Sequence, residues 1–254
     1  MLKRLALLAT LAILAFPTAE AQTATEHVAL GDRDHEARNA AGALAHYEAA
    51  LAVDPNLYEA LWKASREAVD LGEFLPDEGQ RKALYTKAEG YGKRAVSANP
   101  DDAEGHFALA RALGRTALTM GKRDRVRYAA EVRTEALAAL AAAPEHPGAL
   151  HVMGMWNAEV MRLNSFERFF AKNLLGGKVF NTANWNDAVS YMERSVAAEP
   201  DRISHRLDLG RIYADVGSVA KAREQFVWIA SAPLHDYNDA HYKEEAARAL
   251  ASMK

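Results

Sequence analysis

The chain has 254 residues, of which 50% are hydrophobic and 26% charged, with a formal net charge of −3. That balance excludes any global electrostatic drive towards nucleic acid or anionic lipid. The lack of any cysteine excludes a disulfide framework, a thiolate metal site, a cysteine nucleophile and a lipoprotein attachment site.

Lys3 and Arg4 open the chain, followed by an apolar stretch from Leu5 to Phe16, then Pro17 and the small-x-small run Ala19-Glu20-Ala21. This pattern predicts a secretory signal peptide over residues 1–21, removed after Ala21. A membrane anchor is the alternative, but the apolar stretch has about 12 residues against the ~20 that span a bilayer. Cleavage removes Lys3, Arg4 and Glu20 and moves the formal charge to −4. The expected product, residues 22–254, is soluble, exported and periplasmic. No Ser/Gly/Pro linker divides it, which predicts one continuous domain.

Along that domain a run of small and apolar residues ends four times in proline, at Pro55, Pro100, Pro144 and Pro200. Each proline stops a helix, because it lacks an N–H and disfavours helical geometry in the residue before it. A helical signal that recurs with the same stop predicts stacked helix pairs. The 34-residue tetratricopeptide pattern fits the first unit through Leu30-Gly31, Ala43, Tyr47 and Ala50. It fits the last through Leu209-Gly210, Tyr213, Ala222 and Phe226, which closes near Pro233. Gly and Ala fall where paired helices cross closely. The middle units keep only fragments, among them Ala88 and Ala95, Ala136 and Ala139, and Gly154 with Ala188. Proline spacings of 45, 44 and 56 exceed the repeat. We expect the surplus between the two helices of each unit: as turn around Gly72–Gly79, as longer helices around Gly121–Asp124, and as an added segment from Arg162 to Asn184. Residues 237–252 read as a final helix with Glu244, Glu245 and Arg248 outward, closing the exposed end. The fold class is therefore all-α: a tetratricopeptide-like helix-pair solenoid of about five units with long inter-helix insertions and a C-terminal capping helix.

Trp156, Glu159, Ala171, Phe180, Trp185, Ala188 and Tyr191 resemble the regulator of microtubule dynamics family, as do His106 to Arg115 and the run Leu207 to Tyr213. The resemblance covers most of residues 56–230 and is most specific in the long fourth unit. It implies an all-helical, tetratricopeptide-like domain without known chemistry, whose eukaryotic members are associated with microtubules and mitochondria. The export pattern at residues 1–21 departs from those members, so the fold is carried over and the tubulin function is not.

In such an array the first helix of each unit lines the concave face. Its fifth position reads Val28, Trp62, Phe107, His151 and Leu207, and its ninth reads Asp32, Arg66, Arg111, Met155 and Arg211. The candidate partner-binding residues are thus Trp62, Arg66, Phe107, Arg111, His151 and Arg211. Arg grips carboxylates and stacks on rings, so the expected ligand is a protein or peptide with acidic side chains or a free C-terminus. The competing reading makes Trp62 and Phe107 core residues covered by the arginines. The run Ser165 to Leu175 is amphipathic and basic, which fits an anionic membrane surface or a partner's groove. The favoured alternative is that Phe166, Phe169, Phe170 and Phe180 fold back and fill the space opened by the insertion. The basic stretch Lys122–Arg127 has no aromatic platform and reads as a solvated helix start, not a nucleic-acid site.

Enzyme signatures are thin. The chain has no His-Glu-x-x-His, no Gly-x-Ser-x-Gly and no phosphate loop. His146 and His151 fall on a loop and the helix after it, too few for zinc. Asp236, Asn238, Asp239 and His241 offer oxygen ligands to a hard cation, but read better as caps of the last helix. No catalytic residue, cofactor or metal is assigned. The expectation is a non-enzymatic exported scaffold. The alternative is a membrane-surface-associated or ligand-binding and enzymatic protein, with a site around 162–184 using His151, Glu159 and Arg162.

Overall fold

Each of the four prolines stands two residues beyond the end of a helix. The structure, a computed structural model, describes residues 22–164 and 178–253. The expected signal peptide and the run Ser165–Leu175 lie outside those residues. Among the described residues are eleven α-helices and no strand: α1 Ala24–Glu36, α2 Ala40–Val53, α3 Tyr58–Glu73, α4 Glu78–Ala98, α5 Ala103–Leu118, α6 Lys122–Ala142, α7 Pro147–Arg162, α8 Trp185–Ala198, α9 Ile203–Asp215, α10 Val219–Ser231 and α11 Asp239–Ser252. Five antiparallel pairs, α1/α2 to α9/α10, stack on one another, and α11 packs on the last pair. No described helix is long and apolar enough to cross a membrane.

The prolines do more than stop helices. The cap residues Asp54, Asn99, Ala143 and Glu199 all leave helical geometry, with ψ between 77° and 98°. The carbonyl of each proline is then taken by a side chain of the next unit. Arg94 reaches Pro55, Arg194 Nη2 donates to Pro144 at 2.8 Å, His106 Nε2 lies 2.9 Å from the Pro100 oxygen, and Arg206 Nε donates to Pro200 at 2.7 Å. The stops therefore double as ties between units.

Within a pair, small residues on one helix admit a large side chain from the other. A Cβ on Gly31 would stand 2.5 Å from Tyr47 Cε1, and one on Gly210 2.5 Å from Phe226 Cε1. Tyr47 and Phe226 are among the most deeply buried side chains. The first pair has helices of 13 and 14 residues, and the surplus of the second pair is not the turn expected around Gly72–Gly79. It is α4, which runs for 21 residues, as does α6. Asp77 accepts from the Gln80 N–H at 2.7 Å and starts α4 there, so Gly79 is helical. In the fourth pair the surplus lies between α7 and α8. Its described end is a 3-10 turn, Lys178–Thr182, whose Phe180 is buried and stacks on Trp156 with centroids 5.8 Å apart. Phe180 thus fills a core with Leu109, Leu113, Val132 and Val160. Phe166, Phe169 and Phe170 lie outside the described residues.

The array curls until its ends meet. Arg38, in the turn after α1, donates to the Leu234 carbonyl at 3.0 Å across 196 residues. Asn238 donates to the Asp70 carbonyl at 2.9 Å across 168 residues. Both contacts join the C-terminal segment to the first two pairs, and the second lands on α3, a first helix. The first helices therefore face the inside of the curl.

Candidate functional site

The helix starts at Ala24, Tyr58, Ala103, Pro147 and Ile203 put Val28, Trp62, Phe107, His151 and Leu207 at the fifth position of α1, α3, α5, α7 and α9. Asp32, Arg66, Arg111, Met155 and Arg211 then occupy the ninth. Side chains from each of these helices reach the next, so the inner face is a ladder of charge pairs. Lys63 on α3 holds Asp32 on α1 at 2.7 Å, and His35 lies 3.0 Å from Glu67. Arg111 on α5 holds Asp70 on α3 at 2.5 Å, and Arg115 pairs with Glu73. His146, the N-cap of α7, lies 3.3 Å from Glu104 on α5. His151 on α7 meets Asp208 on α9 at 2.9 Å, and Arg211 on α9 holds Glu245 on α11 at 2.8 Å.

Burial sharpens these pairs. It pushes the Asp70 carboxyl up, but the adjacent Arg111 outweighs it and holds Asp70 below its usual value. The Arg111 guanidinium is in turn pushed up, since Asp70 and Glu73 outweigh its desolvation. Asp208 is likewise desolvated, yet bonds from His151 and Arg211 bring it down to about 2. His205, buried and stacked on His151 with centroids 4.7 Å apart, is driven well below the usual histidine value by desolvation and by the cations around it. Its Nδ1 lies 3.0 Å from Ser195 Oγ.

The six sequence candidates sit as follows. Trp62 is half-buried, with Lys63 Nζ and the Arg66 guanidinium 5.5 and 5.3 Å from its ring. Arg66 also donates to Glu67 at 2.8 Å, a carboxylate 1% exposed. Phe107 is half-buried beside His146 and lies against Gly148. Arg111 stands one turn from Phe107, with its charge taken by α3. His151 and Arg211 converge on Asp208, at 2.9 and 3.0 Å. Pattern reading of the ladder left out the carboxylates that answer these cations: Glu67, Asp70, Glu73, Asp208 and Glu245. A signal for one of them existed, because Asp70 occupies the thirteenth position of α3, one turn beyond Arg66 on the same face, although its partner is Arg111 at the ninth position of α5.

The C-terminal residues read as caps act at longer range. Asn238 is the N-cap residue of α11 but makes no side-chain cap, and its side-chain N–H donates to the Asp70 carbonyl. Asp239 Oδ2 accepts from the N–H groups of His235 and Asp236, both at 2.7 Å. Phe74 stacks on His241 at 4.5 Å and meets Tyr242 edge-on at 5.4 Å. Among the described residues, no group of three or more His, Asp or Glu side chains is placed to hold a metal. Glu159, Arg162 and Asp215 form a charge chain, with Arg162 2.5 Å from each carboxylate. Arg125, from the basic stretch, donates to the Ala117 and Leu118 carbonyls at the end of α5. What this face offers chemically is recognition of carboxylates and rings, through groups already placed for both.

A family model described as regulator of microtubule dynamics protein 1-3 matches residues 24–254. The chain is 25% identical over 197 residues to regulator of microtubule dynamics protein 1 of Bos taurus, covering 76% of this chain and 61% of that one. To the Mus musculus protein of the same name it is 23% identical over 197 residues, covering 77% and 64%. The chain thus spans about three fifths of the length of the curated relatives it matches. A crystal structure of a thermophilic tetratricopeptide protein from Thermus thermophilus superposes with a TM-score of 0.64 at 20% identity, covering 90% of this chain and 99% of that one.

Proposed function

This chain belongs to the regulator of microtubule dynamics protein 1-3 family, and from that premise we propose that it is a non-catalytic scaffold that binds protein or peptide partners on its inner face. The observation that carries the reading is the ladder itself. The first helices α3, α5, α7 and α9 present rings or guanidinium groups on one face, and Lys63, Arg111, His151 and Arg211 are each held by a carboxylate of a neighbouring element. A partner carboxylate meets guanidinium groups that are already oriented, and the pair it can join most readily is the one whose resident carboxylate is itself partly exposed, Arg211 with Glu245. Curled helix-pair arrays use their inner surfaces for such recognition. The export pattern at residues 1–21 makes envelope proteins the partners to test, and for that reason the microtubule role in the relatives' names is not extended to this chain.

Trp62 and Arg66 are the least committed pair on the face, since Arg66 bonds only to its own neighbour Glu67 among the carboxylates. The test compares partner capture from envelope extract by residues 22–254 and by a Trp62→Ala/Arg66→Ala form with an unchanged circular dichroism spectrum. We expect a reproducible partner to be lost from the double variant. An identical captured set from both would remove the inner face from binding.

A further inference from the structure

The inner face is not vacant: the chain's own C-terminal segment lies on it. We propose that residues 233–245 are the resident occupant of this face, and that its partners are acidic segments with an aromatic anchor that enter by displacing it. This rests on the reading of the inner face as the binding surface and adds to it the class of partner and the means of control.

Three observations carry the inference. First, the segment has the chemistry expected of a ligand for the face. Asp236 lies 3.0 Å from Arg202 Nε, Glu245 holds Arg211 at 2.8 Å, and Tyr242 lies between them in sequence, buried with its ring against Phe74. That is a carboxylate six residues before an aromatic anchor and another three residues after it. Second, its link to the first two pairs consists of a few side-chain contacts: Arg38 on Leu234, Asn238 on Asp70, and the Phe74 ring. Asn238 donates its side-chain N–H to this link, and its side chain makes no cap on α11. Leu234 and Tyr237 stay 41% and 46% exposed, which leaves the stretch between α10 and α11 shallowly seated. Third, the fit is imperfect. Arg202 Nε is buried and close to Asp236 but makes no hydrogen bond to it, and Asp239 Oδ1 is buried without a partner. Burial, with Asp239 and Asp70 close by, pushes the Asp236 carboxyl up despite Arg202. A displacing segment with better-aligned carboxylates gains where the resident one does not.

Self-occupancy reduces apparent affinity by the fraction of molecules that are open. The test therefore weakens the segment's hold on the first two pairs, so that it opens more often and takes the first turns of α11, with Tyr242 and Glu245, off α9. A fluorescent synthetic peptide of residues 233–254 is titrated into the full chain and into its Arg38→Ala/Asn238→Ala form, and amide exchange over 233–242 is followed in both. Arg38→Ala alone, at an exposed position, serves if the double form folds poorly. We expect exchange over 233–242 to rise and the peptide to bind the loosened form at least about tenfold more tightly than the parent. A peptide carrying Tyr242→Ala should bind neither form. Unchanged exchange, equal affinity for the two forms, or full binding of the Tyr242→Ala peptide each overturns the proposal. None of these results touches the scaffold reading, which stands or falls on capture by the parent chain through Trp62 and Arg66.

Discussion

Residues 91–113 and 191–213 follow the same plan one hundred positions apart. In both, an arginine lies over a tyrosine ring three residues before it, Arg94 over Tyr91 at 5.8 Å and Arg194 over Tyr191 at 6.0 Å. Both arginines bind the proline carbonyl that closes the pair before theirs, and His106 and Arg206, on the first helix of the following pair, bind Pro100 and Pro200. The two regions then diverge at the ninth position of the next helix. Arg111 is taken by Asp70 and Glu73 of α3, with all three side chains under a fifth exposed. Arg211 is taken by Glu245 of the C-terminal helix and stays 40% exposed. The repeat thus decides where a guanidinium points, and the neighbour decides how deeply it is buried.

The strongest test of that difference removes Arg111. Arg111→Ala strands the buried Asp70 carboxylate while Glu73 keeps Arg115, and denaturant unfolding should show a loss of about 3 kcal/mol. Parent-like stability would mean that Asp70 finds water or another cation, and the sealed half of the comparison would go. Position 110/210 breaks the plan in another way. Gly210 faces Phe226, whereas Ala110 clusters with Ala136 and Met153, where a methyl group fits. Gly210→Ala should cost ~1–3 kcal/mol through overpacking, against about 1 kcal/mol for Ala110→Gly through backbone entropy. If Gly210→Ala proves the milder change, the close approach of α9 and α10 is not what stabilises that pair.

Acid separates the regions too, because the buried His205 belongs to the second. Its folded pKa is depressed, so the unfolded chain takes up the proton first. The stability it contributes is complete above the ordinary histidine value and declines as pH falls below about 6.5. Asp208, held at about 2, adds a further loss only as pH falls below the usual carboxylate range. Between pH 7.5 and 5.5 the melting temperature should drop by roughly 2–4 °C for each kcal/mol lost, and a His205→Gln form should drop less. An equal drop in both would assign the acid sensitivity elsewhere. The smallest effect is that of Arg211→Ala. Asp208 keeps His151 and Glu245 gains water, so unfolding should shift by about 1 kcal/mol or less. A loss as large as that from Arg111→Ala would erase the distinction between the two arginines.

Much of this architecture is written locally. The prolines and their small-residue lead-ins mark four helix ends, and Leu-Gly with an aromatic partner marks the first and last pairs. The helix starts then follow, and with them the inward positions Trp62, Arg66, Phe107, Arg111, His151 and Arg211. Gly72, Pro76, Asp77 and Gly79 misled, because they read as a long turn while Asp77 caps a helix already begun. What local pattern does not hold is partnership. Arg66, Arg111 and Arg211 look alike in sequence, and only the packed array assigns them Glu67, Asp70 and Glu245. Asn238 and Asp239 look like ordinary caps, yet one bonds a carbonyl 168 residues away and the other folds its own loop. No periodicity encodes a contact of that span.

The closed inner face is the premise that joins the charge ladder to the proposed exchange of occupants. Because the chain has no cysteine, spin labels at Ala37→Cys and Tyr237→Cys report one distance without background. Both positions are exposed and flank the contact of Arg38 with Leu234. The account predicts a single short, narrow distance distribution in the parent chain, lengthened by the acidic peptide. A broad distribution of long distances in the parent, unmoved by peptide, would contradict it.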